Sequence, residues 1–144
     1  MCFCPTLGLK IGLLILIPLT AGFNAAQIAK DINVWDVVMG YHHVILIISL
    51  FMSLVILFAL IPLTYATIRN SLRILYVVLY FFIADVSGKL IILFVCLSTE
   101  TNPDKTAAHA WFIVGWFISF LCMASIILYC IRLHELSRDE DLAN

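Results

Sequence analysis

Asp85 and Lys89, in the segment LYFFIADVSGKLIILF, are residues capable of proton or ion chemistry set inside an otherwise apolar run. They are four apart, so they share one face of a helix, and Asp before Lys is the order that suits the helix dipole. A charge at the centre of a bilayer costs at least ~2.5–3.5 kcal/mol, so neither side chain is expected to face lipid. Two chemistries fit the pair. It can line a proton or ion path, or it can be a buried ion pair that fixes helix rotation and partner choice. A path ordinarily needs ionisable groups at several depths, and the sequence reading finds only this pair deep in a span. The structural pair is therefore the expectation, and it includes contact with an intramembrane residue of another subunit.

The elements that hold the pair follow from composition. Of 144 residues, 64% are hydrophobic and 12% charged, against about 25% charged in a soluble domain. Such a chain cannot clothe a core in polar surface, and it is the opposite of a disordered composition. A net charge of −1 argues against nucleic acid as a partner. The charge-free gaps are nineteen residues between Lys10 and Lys30, thirty-two between Asp36 and Arg69, and twenty-six between Lys105 and Arg132. A crossing needs roughly 20 apolar residues. The expected spans are about 9–26, 41–65, 73–97 and 108–132. The runs are continuous and not alternating, which excludes a β-barrel. The fold class is all-α, an integral membrane bundle of four transmembrane helices forming a single domain over 1–144. Pro18 and Pro62 are expected to bend or end a turn within the first two helices. The first helix reads as a signal anchor, because no basic segment precedes its apolar run.

Depth assigns neighbours to the pair. Lys89 lies about 6 Å outward of Asp85 at 1.5 Å per residue. Ser53 and Ser119 fall near the middle of their helices with Asp85, and Ser49 falls level with Lys89. Ser119 is one turn from Gly115, and small residues at that spacing let backbones approach. Gly8 and Gly12 form a similar patch in the first helix. Phe112, Trp116 and Phe120 form a packing stripe, while Tyr41, Tyr65 and Trp111 fit aromatic belts.

Lys10, Arg69, Arg73, Arg132 and Arg138 lie on one side, and Lys30 and Lys105 on the other. The positive-inside rule then puts both termini in the cytosol. Of the outer loops, 27–40 is expected to form a surface helix with Ile28, Ile32, Trp35 and Met39 toward lipid. The other contains the turn signal Asn102-Pro103-Asp104. His42, His43 and His109 are read as interfacial residues. Adjacent His42 and His43 point about 100° apart on a helix and cannot share one ion, and no metal is expected. Zinc binding would need the loop and His109 to converge, and sensing of an acidic lumen is a further alternative. The five cysteines offer no loop disulfide and no Cys-x-x-Cys. Cys2 and Cys4, and with them Cys130, are juxtamembrane candidates for acylation.

No phosphate loop, Ser/His/Asp arrangement or His-Glu-x-x-His is present, and the chain is read as a non-enzyme without cofactors. Its ends carry a likeness. The start MCFCPTLGLKIGLLIL has cysteines and a glycine-bearing patch before the first span. The end IILYCIRLHELSRDE has a Tyr closing the fourth span before a charged Leu-Glu tail. The chain resembles the lysosome-associated four-transmembrane proteins and a group of uncharacterised insect four-span proteins. The resemblance implies an endosomal or lysosomal membrane protein acting through partners. The tail lacks the Pro-Tyr motifs with which vertebrate members recruit ubiquitin ligases. MARVEL-type and invertebrate junction proteins, of the plasma membrane, share the outline. The expected function is lateral association as an organiser, trafficking adaptor or junction component, with a membrane protein or a second copy as partner. The alternative is a proton, ion or small-solute transporter or channel subunit using Asp85 and Lys89.

Overall fold

The computed structural model describes residues 3–36, 40–99 and 110–143, and the side chains within 7–36, 40, 42–98 and 110–139. Four helices make up this structure: α1 (Phe3–Asn33), α2 (Tyr41–Arg69), α3 (Leu72–Thr99) and α4 (Ala110–Ala143). All four are long and apolar enough to cross a membrane, which makes the chain an integral membrane protein. No strand occurs among the described residues. The helices pack as a closed ring, α1 on α2, α2 on α3, α3 on α4 and α4 back on α1.

The helices outrun the expected apolar spans. α4 continues through LHELSRDE, whose Leu, Glu and Arg are good helix formers, and Arg132 Nη1 reaches Glu135 Oε2 at 3.3 Å. α1 likewise runs on past Lys30 to Asn33, so residues 27–33 are the last two turns of the first membrane helix and not a separate surface helix. Ile32 keeps its expected lipid-facing side, and the unexpected feature of these turns is the burial of Asp31 inside the bundle. Asp31 is fully buried while Ile32 is 60% exposed, because a face turned to lipid has no need of polarity. Neither Pro18 nor Pro62 ends its helix, and both lie on exposed faces.

Every helix buries one stripe whose positions alternate by three and four. On α1 the stripe is Leu13, Ile17, Thr20, Asn24, Gln27 and Asp31, and Val34 continues it in the turn that follows. On α4 it is Phe112, Gly115, Ser119, Cys122, Ile126, Tyr129 and Leu133. This heptad spacing is that of left-handed bundles packed knobs into holes. The stripe is layered. Leu13, Ile56, Phe82 and Ile126 belong to one apolar cluster, at the end where the chain starts. Leu46, Ile92, Cys96 and Phe112 belong to a second at the other end. Between them lie polar side chains from all four helices. The outward surface is as apolar as any core, with Tyr80 75% exposed beside Phe51, Phe58 and Phe94.

The α2–α3 turn ties three helices together. Asn70 has φ 55° and ψ 39°, the left-handed cap that Asn tolerates better than most residues. Its amide N–H donates to Ala66 O. Its side-chain oxygen accepts from Tyr129 Oη of α4 and from Lys10 Nζ of α1, the latter at 3.4 Å. Gly40, just before α2, has φ +71°, which glycine adopts without steric cost.

Candidate functional site: a buried polar layer

Lys89 is completely buried, and its surroundings account for every proton on its ammonium. Nζ donates to Ser53 Oγ at 3.1 Å, to Asn24 Oδ1 at 3.2 Å and to Gln27 Oε1 at 3.3 Å. An ammonium has three donors, so Asp85 Oδ1 at 3.5 Å is an ionic contact added to a full set of hydrogen bonds. Neither carboxylate oxygen of Asp85 accepts a hydrogen bond among the described residues.

The two amides are oriented by what lies behind them. Gln27 Nε2 donates to Ser49 Oγ at 2.9 Å. Asn24 Nδ2 donates to Thr20 O at 2.8 Å and to Ser119 Oγ at 3.3 Å. Each amide thus turns its oxygen to the cation and its nitrogen to a neutral acceptor, and the layer spans α1, α2, α3 and α4. Asp31, one turn beyond Gln27, is fully buried and adds a second negative charge within electrostatic reach of Lys89.

The residues singled out in the sequence meet here, with a changed pairing. Ser53 bonds Lys89 directly, and Ser49 reaches it only through Gln27. The shift has a simple cause. Helical side chains lean toward the helix N-terminus, so the long Lys89 stem sets its ammonium about a turn back from its own Cα. Ser119 joins through Asn24.

Sequence reasoning misses Thr20, Asn24, Gln27 and Asp31 as site residues. Their 4–3–4 spacing is the signal that identifies them. They also correct the expectation that the Asp85–Lys89 pair stands alone, since Asp31 is a third ionisable side chain buried in the same bundle.

Gly115 makes room for the layer. A Cβ built there would stand 3.3 Å from Gln27 Oε1 and 3.7 Å from Phe23 O, so α4 lies directly against the α1 turn that holds the amide. Among the described residues Gly8 and Gly12 have no such neighbours, so they take no part in this contact. Trp116 Nε1 donates to Val86 O at 3.1 Å, joining α4 to α3 beside Asp85.

The other candidates lie apart from the layer. His42 is buried with Nδ1 4.0 Å from Cys96 Sγ, and His43 meets the Trp35 ring at 4.5 Å. Among the described residues no three His, Cys, Asp or Glu converge on one point. Cys130 is only 3% exposed and packs in the apolar cluster, which removes it as an acylation site. Cys2, His109 and the Asn102-Pro103-Asp104 turn lie outside the described residues, as does the side chain of Cys4.

Chemically, the layer holds one amine and two carboxyl groups, and apolar clusters lie toward both ends of the bundle. No family model, no curated protein and no solved structure matches the chain.

Proposed function

We propose that this chain is a non-enzymatic membrane protein that works by lateral association, as an organiser, trafficking adaptor or junction component. The observation that carries the reading is the position of the polar layer between two apolar clusters. A charge centre enclosed in this way holds helices in register and excludes water, while the broad apolar outer face is left for partners. The likeness of the chain ends to lysosome-associated four-transmembrane proteins supports an endosomal or lysosomal address, with a plasma-membrane junction as the other. The excess of Lys and Arg supports cytosolic termini.

The buried Asp31 favours a second reading. Asp85, Lys89 and Asp31 stand at successive heights in the bundle, as a proton or ion relay would require. Purified protein in liposomes loaded with a pH-sensitive dye separates the two. Lateral association predicts no flux above empty liposomes and a stoichiometric protein partner recovered from native membranes. A flux abolished by Asp85→Asn overturns it in favour of transport.

A further inference from the structure

An apolar groove of about 450 Å³ runs between α2 and α3 on the outer face of the bundle, in the volume range of small-molecule sites. Val55, Phe58, Pro62, Val77 and Phe81 line it, and Arg73 stands at its mouth. A smaller cleft of about 160 Å³ shares Val55 and Phe81, so the concavity continues toward the bundle centre. Arg73 is exposed in the first turn of α3, beside the Arg69–Ser71 turn, at the boundary where the apolar spans begin. Among the described residues no carboxylate pairs with it. The site therefore offers an apolar trough about 12 Å long from residue 73 to residue 81 at 1.5 Å per residue. Its boundary end presents a guanidinium that no carboxylate of the described residues pairs with.

We propose that this groove holds one anionic phospholipid, its phosphate on Arg73 and the upper part of an acyl chain along Val77 and Phe81. A guanidinium matches phosphate by paired, charge-assisted hydrogen bonds. The N-terminus of α3 adds a field of the same sign. A second apolar helix laid in the trough would leave Arg73 without a counter-charge, which is why a lipid with an anionic headgroup is the better occupant. This site is separate from the buried layer and does not depend on how the protein acts on partners.

The test uses the full chain in phosphatidylcholine vesicles containing a minority of spin-labelled phosphatidylglycerol, against spin-labelled phosphatidylcholine as reference. The motionally restricted fraction of each lipid is read by electron paramagnetic resonance. The wild type is expected to prefer phosphatidylglycerol by about fivefold, the effect of one basic residue at an anionic surface. Arg73→Gln should abolish that preference, and Arg69→Gln, outside the groove, should leave it. Val77→Trp, at a position 52% exposed and so removable from core packing, should fill the trough and lower the restricted fraction of both lipids. Equal losses from Arg69→Gln and Arg73→Gln would mean a diffuse basic surface and overturn the proposal. So would a wild type that restricts both lipids alike.

Discussion

Lys89 donates to Asn24 across the bundle at 3.2 Å, joining α3 to the helix farthest from it in sequence among its partners. Ser53 of α2 completes the clasp from the side. The consequence is an ammonium whose solvation shell is built of protein, so the energetics of the fold concentrate on a few atoms.

Removing the cation should be costly. Lys89→Met leaves Asp85 and Asp31 without their common counter-charge, and the expected loss is about 3–5 kcal/mol, as for other broken buried pairs. The double change Asp85→Asn with Lys89→Met should recover part of it. Unfolding by denaturing detergent, run as a double-mutant cycle, measures both. Additive losses would contradict a coupled pair.

The amides should matter nearly as much as the charge. Asn24→Leu removes one acceptor from Lys89 and one donor to Ser119, and hydrogen bonds to charged groups are worth about 1.5–3 kcal/mol. Ala25→Leu, one position along and exposed, should be close to neutral. The same detergent unfolding compares them.

Two glycines should respond in opposite ways. At Gly115 a larger side chain meets Gln27 Oε1, which is held by Lys89 and cannot easily move. Gly115→Val should cost about 1–3 kcal/mol, the range for an overfilled core. At Gly88 an added Cβ would meet Met52 Cε at 2.6 Å, the free end of a flexible side chain. There the gain of about 1 kcal/mol in helix propensity should offset the rearrangement, so Gly88→Ala should unfold within about 1 kcal/mol of wild type.

The α2–α3 turn can be dissected at Asn70. Asn70→Gly keeps the left-handed backbone and loses the side-chain bonds to Tyr129 and Lys10. Asn70→Ala loses both, and should be the less stable of the two by about 1 kcal/mol. Tyr129→Phe isolates the hydroxyl, with an expected cost of about 0.5–1.5 kcal/mol. Thermal unfolding of the three variants in one detergent ranks them.

Four spans could be read from the sequence because charge-free length is a direct consequence of bilayer thickness. Asp85 and Lys89 could be read because no other charged residue stands between Arg73 and Glu100. The α1 half of the layer was hidden for a definite reason. Lys30 and Asp31 look like the end of a span, and Ile28, Ile32 and Trp35 look like the lipid-facing side of a separate surface helix. The helix instead continues as part of the bundle, with Ile32 still toward lipid and Asp31 turned into the interior. Matching Cα heights puts Ser49 beside Lys89 but ignores the lean of a long side chain. The lipid-facing groove leaves no signature in the sequence, since its residues resemble every other residue on that surface.

The span of the Lys89 bonds bears on how the protein is made. Its acceptors on α1 lie 65 and 62 residues earlier in the chain. When α3 leaves the insertion machinery, its cation has Asp85 beside it but none of its amide acceptors until α1 swings back to meet it. Neither half of the chain is thus complete on its own. A product truncated after α2 lacks the cation that the Asn24 and Gln27 oxygens accept from, and an orphaned α3 carries an ammonium without its amide acceptors. Polarity left facing lipid is costly, so the clasp that holds the finished bundle together also penalises every partly assembled one.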